Sequence, residues 1–272
     1  MNLKERISIY YTSLTTTEKR IYTQIMDNPH IIIDHSIIEA GNLCHTSKSA
    51  MLRFAKKLGY RGYSEFKYAI EESTKKDLEA TPLINHNETI LHQISSSFAL
   101  TIQAIGQLNY DHQLQTLATD IDQYPYIKSI GIGNSAFCAN QLVYSLYSHN
   151  KFIEGVVDDV QFSYLNNCLN KDYLLIIFSV SASSTTYTKL MKTAKTKGSK
   201  IVLITMNNDS PINKLADIVF TLPSNIAPTS SSSVLKQLDN RTTLYFFAEI
   251  ISYYYGIFLE KKTSLKKKTS II

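Results

Sequence analysis

Residues 36–67 read SIIEAGNLCHTSKSAMLRFAKKLGYRGYSEFK, and this stretch decides how the first part of the chain folds. Ser36 is followed three residues later by Glu39, which is the spacing of a capping box at the start of a helix. Ser47 is suited to cap a second helix, and Gly59 is suited to end it. The stretch therefore predicts two short consecutive helices.

The connection between these helices is typical of a helix-turn-helix. His45 and Thr46 leave room for only a tight turn, and Gly41 is small where the two helices would cross. Met51 and Phe54 would anchor the second helix to the core. In this motif the second helix lies in the major groove of DNA, so the pattern predicts a DNA-binding domain.

The charge of the second helix supports that interpretation. Residues 47–61 contain five basic side chains and no acid, while the whole chain of 272 residues has a net charge of only +5. Short hydroxyls and cations at a helix N-terminus suit phosphate and base-edge contacts. We expect DNA contacts from Ser47, Lys48, Ser49, Arg53, Lys56, Lys57 and Arg61. The alternative is a solvated basic helix in an ordinary bundle, and the spacing of cap, turn and anchors favours the DNA interpretation.

The rest of the chain divides by pattern into a helical part and an α/β part. Thr15, Thr16 or Thr17 is suited to cap an earlier helix, and Ser64 a later one. Residues 74–88 are polar and include Pro82, which indicates a linker. We expect a helix-turn-helix domain at residues 1–76, a linker and connecting helix at 77–107, and a second domain at 108–272.

The second domain alternates short apolar runs with helical segments. The predicted strands are residues 127–132, 152–157, 174–178, 201–205 and 218–222. The predicted helices are residues 111–123, 136–146, 185–197 and 242–259. Strands that alternate with helices of this length predict a parallel five-stranded sheet flanked by helices. The fold class is thus an all-helical domain followed by an α/β domain.

Two strand ends carry small and hydroxyl-bearing residues. The first strand leads into Gly131, Gly133, Asn134 and Ser135, and the third leads into residues 179–186, which hold six serines and threonines. Both segments feed a helix, whose N-terminus attracts anions. Two such turns at the carboxyl ends of parallel strands predict a phosphate site, although each alone is also typical of a plain polar loop.

Residues 36–67 resemble the N-terminal domain of RpiR-type transcription regulators. The residues that carry the resemblance are Arg53, Phe54, Lys57, Leu58, Gly59, Gly62, Ser64, Phe66 and Lys67. His45 stands where the family usually has glycine, and histidine tolerates a left-handed backbone less well.

The region from residue 127 to 222 resembles the sugar isomerase (SIS) domain of the same regulators. The resemblance rests on both strand-end loops and on Ile204, Thr205, Ser210 and Pro211. It implies a phosphorylated sugar as effector, with contacts from Gly133, Asn134, Ser135, Ser179, Ser181, Ser184 and Thr185. Ala182 replaces the glycine of the family's serine loop, where a methyl group is expected to narrow the phosphate cradle.

Taken together, the patterns and the resemblance predict a sequence-specific regulator of sugar or amino-sugar metabolism under phosphosugar control. Two alternatives stay open: a phosphosugar isomerase, and a regulator whose SIS domain serves only as a dimerisation scaffold. An isomerase needs a placed base, but the acids and histidines of the second half form no recognisable pair by spacing. We therefore expect a protein that is not an enzyme.

Partners and location follow from the same reasoning. Duplex DNA and a phosphosugar are the expected partners, in a homodimer or homotetramer, because paired half-sites match two-fold symmetry. We expect no cofactor and no metal, since the three cysteines match no ligand spacing, and we expect all three thiols to be buried. No signal peptide or run of 18 apolar residues is present, which predicts a cytoplasmic protein without membrane association.

Overall fold

The computed structural model describes residues 3–79, 89–224 and 241–269. It consists of two compact units that divide within the helix Ile90–Ile105, at Thr101. The first unit is helical and the second contains a parallel sheet, so the predicted fold class is confirmed. The predicted domain bounds remain predictions.

The first unit is a small helical domain. Its helices are α1 (Leu3–Tyr10), α2 (Thr16–Asp27), α3 (His30–Ile33), α4 (Ile37–Leu43), α5 (Lys48–Lys57) and α6 (Tyr63–Glu79), and α7 (Ile90–Ile105) follows. The core is apolar and includes Ile21, Ile25, Met51 and Phe54, each at most 2% exposed. The rings of Phe54 and Phe66 meet edge-on with centroids 5.7 Å apart, which fixes α5 against α6.

Three of the predicted helix starts occur as the sequence indicates. Thr15 caps α2, and Ser36 caps α4, each in a full capping box with the glutamate three residues on. Ser47 caps α5 through the amide of Ala50. Such caps satisfy amides that have no partner within the helix, at about 1 kcal/mol each.

Two expectations about the following helix were wrong. Ser64 is not its cap, because α6 begins at Tyr63 and Ser64 lies in the first turn. The helix also continues to Glu79, so residues 74–79 are helical rather than linker. The remainder of the predicted linker, residues 80–88, and the serine-rich segment 228–233 lie outside the described residues.

The second unit is built on five parallel strands. They are β1 (Tyr126–Ile130), β2 (Glu154–Val156), β3 (Tyr173–Ser179), β4 (Lys200–Thr205) and β5 (Ile218–Thr221), in the order β2-β1-β3-β4-β5. The parallel five-stranded sheet is therefore confirmed. β2 is shorter than the predicted strand at 152–157, because at the sheet edge it pairs only with β1.

Helices cover both faces of this sheet. They are α8 (Asp111–Gln123), α9 (Ala136–Tyr147), α10 (Asp159–Cys168), α11 (Ser184–Thr196) and α12 (Arg241–Thr269). On one face α10 and α11 pack on alternate strand residues such as Leu175 and Ile177. On the other, Phe247 of α12 meets Phe220 of β5 with ring centroids 5.1 Å apart. The sequence missed α10 and placed the end of α12 ten residues early.

Among the residues that the structure describes, no helix is long and apolar enough to cross a membrane. The three cysteines are free thiols. Cys44 and Cys138 are buried as expected, but Cys168 at the end of α10 is exposed, so that part of the expectation was wrong.

Candidate functional sites

The helix-turn-helix is formed by α4 and α5. A Cβ atom on Gly41 would lie 3.1 Å from the carbonyl oxygen of Thr46 and 3.4 Å from the amide nitrogen of Lys48. The two helices thus approach as closely as a glycine allows. Met51 and Phe54 are buried beneath α5, as the sequence predicted.

The turn between these helices is strained at His45. Its φ angle is +50°, in the left-handed region that favours glycine. The guanidinium of Arg20 donates a hydrogen bond of 3.2 Å to the His45 carbonyl and holds this conformation from α2. Sequence reasoning placed the unfavourable residue correctly but missed Arg20, which lies 25 positions away.

The outer face of α5 is polar and basic. Ser49, Arg53 and Lys56 lie four and three positions apart, so they share one side of the helix. The predicted DNA contacts that are exposed are Ser47, Lys48, Ser49, Arg53, Lys56 and Arg61. No acidic residue belongs to α5, so this surface presents cations and hydroxyls to a partner.

Lys57, the remaining predicted contact, lies elsewhere. Its ammonium pairs with the carboxylate of Glu18 at 2.7 Å, and its side chain is 30% exposed. Burial raises the pKa of Glu18, but the bonds from Lys57 and Thr15 outweigh it, so the pKa lies below its usual value. Lys57 therefore joins α5 to the capping box of α2.

A second cation fixes the far end of α5. The guanidinium of Arg6, on α1, donates to the carbonyl of Gly59 at 3.0 Å and lies 4.9 Å from the centre of the Tyr60 ring. A cation at a helix C-terminus satisfies carbonyls and complements the helix dipole. Nothing in the local sequence around α5 indicates this contact.

The two strand-end loops of the second unit lie side by side. β1 and β3 are neighbours in register, with Ile130 opposite Ile177. The order β2-β1-β3-β4-β5 changes direction between β1 and β3. Such a switch point leaves a crevice at the carboxyl ends of the strands, where ligands of α/β sheets bind.

The first loop requires its glycines. A Cβ atom on Gly131 would lie 2.3 Å from the carbonyl oxygen of Ser135, so the loop folds back over the end of β1. Gly133 has a φ angle of +63°, with open space around its missing Cβ. Gly133 and Asn134 are exposed while Ser135 is buried, so the backbone of this loop faces outward at its tip.

The second loop, residues 179–185, places its hydroxyls at different depths. Ser183 caps α11 by accepting from the amide of Thr186, and its hydroxyl also bonds the hydroxyl of Thr185 at 3.0 Å. Ser181 and Ser184 are half-buried, and Thr185 is exposed. Five residues of this loop therefore present hydroxyls at or below the N-terminus of α11.

Ala182 does not behave as the sequence suggested. Its φ angle is +45°, so it occupies a conformation in which glycine costs less. Its methyl group, however, is packed in the apolar core under α11, with the residue 1% exposed. The methyl group thus points away from the loop surface and does not narrow it.

A buried tyrosine lies beneath the two loops. Burial raises the pKa of Tyr187 to about 12, while the backbone of Ile132 in the first loop and the side chain of Ser179 in the second lower it, so the phenol stays protonated. Ser179, a predicted effector contact, is itself only 5% exposed. Sequence reasoning did not single out Tyr187.

Within the described ranges, no group of three or more histidine, cysteine or acidic residues is placed to hold a metal ion. The chemistry that the two loops offer is that of amides, hydroxyls and a helix N-terminus. This combination suits an anion with several oxygens.

Comparison with known proteins identifies both units. The helix-turn-helix domain of the rpiR family matches residues 1–77, and the SIS domain matches residues 125–245. An uncharacterized HTH-type transcriptional regulator of Clostridium perfringens is 28% identical over 283 residues, which span 100% of this chain and 99% of that relative.

Solved structures share the fold. The NanR protein of Vibrio vulnificus, solved in complex with ManNAc-6P, superposes with a TM-score of 0.56 at 18% identity, covering 99% of this chain and 97% of its own. The sugar isomerase domain of an RpiR transcription factor from Sphaerobacter thermophilus gives 0.52 at 15% identity, covering 68% of this chain and 100% of its own. The chain is thus a helix-turn-helix transcription regulator with a SIS domain. Its helix-turn-helix domain, residues 1–77, is of the rpiR family.

The strain at His45 leads to a test of the turn. We expect His45→Gly to raise the free energy of unfolding of the first unit by about 0.5–1 kcal/mol, because glycine relieves the left-handed penalty and gives back part of the gain as chain entropy. His45→Ala keeps a Cβ atom and serves as the control, with no such gain. Urea denaturation measures both, and equal stability of the glycine and alanine variants would contradict the assignment of strain.

Proposed function

We propose that this regulator binds operator DNA in a sequence-specific manner through α5 and that a phosphorylated sugar or amino sugar controls it from the crevice between the β1 and β3 loops. The observation that carries the proposal is the convergence of two anion-suited loops at the switch point of the sheet, in a chain with an exposed basic recognition helix. The proposed role is regulation of sugar or amino-sugar metabolism.

The DNA half of the proposal rests on the outer face of α5. Arg53 is in position for guanine edges or phosphate, one turn from the helix start. Ser47, Lys48 and the first amides of α5 suit a backbone phosphate, because a helix N-terminus carries partial positive charge. Arg61, beyond the end of the helix, adds a further cation for the phosphate backbone.

The effector half rests on the second loop and α11. A phosphate placed over residues 181–185 would meet the N-terminus of a 13-residue helix together with the hydroxyls of Ser181, Ser184 and Thr185. Gly133, Asn134 and Ser135 of the neighbouring loop would contact the sugar or a phosphate oxygen. NanR, which shares this fold, was solved with the phosphosugar ManNAc-6P, which supports the same ligand class here.

We propose a sensor rather than an isomerase. In a sensor, the DNA-binding domain lets a bound phosphosugar control transcription. In an isomerase, the DNA-binding domain would have no part in the reaction. A regulator of this kind meets its operator in the bacterial cytoplasm, where we place it, and we assign it no cofactor.

We also propose that the protein acts as a homodimer, because one helix-turn-helix offers few contacts and paired half-sites need two. The second unit has an exposed aromatic face suited to a second copy. Phe137 and Tyr144 of α9, Phe152 in the segment before β2, and Tyr253 of α12 are 68–75% exposed. Tyr147 joins them, with its ring centroid 5.1 Å from that of Phe152. Exposed apolar patches of this kind mark interaction surfaces.

The first prediction from the proposed function concerns the recognition helix. Arg53→Ala should weaken operator binding by about 1–3 kcal/mol if the side chain reads a base. Lys48→Ala should weaken binding to all duplexes and lower the magnitude of the salt slope by about 1 if it contacts phosphate. Gel-shift titrations at several salt concentrations measure both effects. Lys192→Ala, an exposed lysine on α11, is the control, and full affinity in both test variants would refute the assignment.

The second prediction concerns the effector. Calorimetry with hexose phosphates and amino-sugar phosphates should detect binding at millimolar concentration or tighter. Ser181→Ala and Ser184→Ala should each weaken it, because each removes a hydroxyl from the phosphate site. Ser148→Ala at the exposed end of α9 should not weaken binding.

The coupling free energy between sugar binding and DNA binding should be about 1–3 kcal/mol. It should be reciprocal, so DNA changes sugar affinity by the same factor by which sugar changes DNA affinity. An isomerase would instead convert the sugar, and a scaffold would not bind it.

The third prediction concerns the aromatic face. Light scattering at micromolar concentration should give at least twice the mass of one chain, and the double change Phe152→Ser with Tyr253→Ser should shift the protein toward monomer. Tyr164 on α10 is 69% exposed, so Tyr164→Ser is a control of similar exposure that should leave the dimer intact. A monomeric wild-type protein would rule out the dimer, and an unchanged double variant would place the interface elsewhere.

A further inference from the structure

Three consecutive carbonyls of the serine loop accept hydrogen bonds from side chains of residues 205–210, a segment that begins with the last residue of β4. The hydroxyl of Thr205 donates to the carbonyl of Val180 at 3.2 Å, and the amide of Met206 donates to the same carbonyl at 3.1 Å. The amide of Asn207 donates to the carbonyl of Ser181 at 2.9 Å, and the hydroxyl of Ser210 donates to the carbonyl of Ala182 at 2.7 Å.

The three donors are themselves buried and fixed. Thr205, Asn207 and Ser210 are 0%, 5% and 6% exposed. The carboxamide oxygen of Asn207 accepts from the amide of Asp209 at 3.1 Å. The side chain of Asn213 then donates to the backbone carbonyl of Asn207 at 2.9 Å. The donors are thus pre-positioned and lose little freedom when they hold the loop.

The direction of these bonds sets the direction of the loop amides. In a trans peptide the N–H of one residue points opposite to the carbonyl of the residue before it, and no peptide bond in the described residues is cis. With the carbonyls of Val180 and Ala182 turned toward the segment after β4, the amides of Ser181 and Ser183 face the other way. The amide of Ala182, between them, donates to the carbonyl of Ser179 at 3.3 Å, so the amides of Ser181 and Ser183 are those that can line an anion-binding concavity at this left-handed residue.

We propose that Thr205, Asn207 and Ser210 are positioning residues for the phosphate of the effector. They set phosphosugar affinity without touching the ligand, by holding the amides of Ser181 and Ser183 toward the crevice. The same bonds offset the cost of the left-handed backbone at Ala182, where the chain lacks a glycine. This inference rests on the proposed function of the crevice.

The chain offers a closely matched control. Ser199 lies just before β4, at the other end of this strand from Thr205. It is 5% exposed, and its hydroxyl donates to the carbonyl of Asn170 at 2.7 Å. Ser210→Ala and Ser199→Ala therefore each remove one hydroxyl with the same bond length and nearly the same burial. Their effects on stability should be alike, while their effects on the effector should differ.

The experiment is calorimetry of the full-length chain with the tightest-binding phosphosugar of the panel, with inorganic phosphate as a competing probe, alongside thermal unfolding. We expect Ser210→Ala and Asn207→Asp to weaken both ligands about tenfold, since each removes one aligned donor. Ser199→Ala should bind like the wild type, and Ser210→Thr, which keeps the hydroxyl, should restore affinity.

Several outcomes would overturn the inference. If the wild type binds phosphosugars and Ser210→Ala matches Ser199→Ala in affinity, the crevice stands and the positioning role is wrong. If the wild type binds no phosphosugar, the proposed function fails and the inference falls with it. If Ser210→Ala does not fold, Asn207→Asp is read alone, and wild-type affinity in that variant refutes the role.

Discussion

The pairing of β1 with β3 is the constraint on which the second unit depends. Because β2 lies on the other side of β1, the chain must leave the sheet in one direction after β1 and in the other after β3. The loops that follow these two strands then diverge and leave a crevice. The side chain of Tyr187, which is 2% exposed, lies beneath this crevice, next to Ile132 of the first loop and Ser179 of the second.

In the first unit, α5 is held at its inner side and at both ends, while its outer face stays exposed. Gly41 brings α4 against its start, the Glu18–Lys57 pair ties its last turn to α2, and Arg6 binds the carbonyl just beyond its end. Each contact lies on the inner side or at a terminus. The exposed cations can therefore meet a partner without loss of the bonds that orient the helix, which is how a rigid recognition element is built.

Both candidate sites contain a residue other than glycine in the left-handed region, and in both a distant donor holds it. Arg20 bonds the carbonyl of His45, and Ser210 bonds the carbonyl of Ala182. Strained backbone persists where surrounding structure over-determines it, and such places cluster at functional sites. Here the strain occurs at the turn that presents α5 and in the loop that would receive phosphate.

The sequence by itself determined the local elements: the capped helices at Thr15, Ser36 and Ser47, the helix-turn-helix, the five parallel strands and the two strand-end loops. These follow from spacing within a few residues, which side-chain periodicity and capping chemistry make readable. Tertiary structure alone decided which residues these side chains contact. Lys57 pairs with Glu18, 39 positions earlier, and Ser210 donates to the carbonyl of Ala182, 28 positions earlier. The methyl group of Ala182 packs in the core. Such contacts join elements that are distant in sequence, and no periodicity records them, because they form only when the packed core sets the distance and direction between those elements.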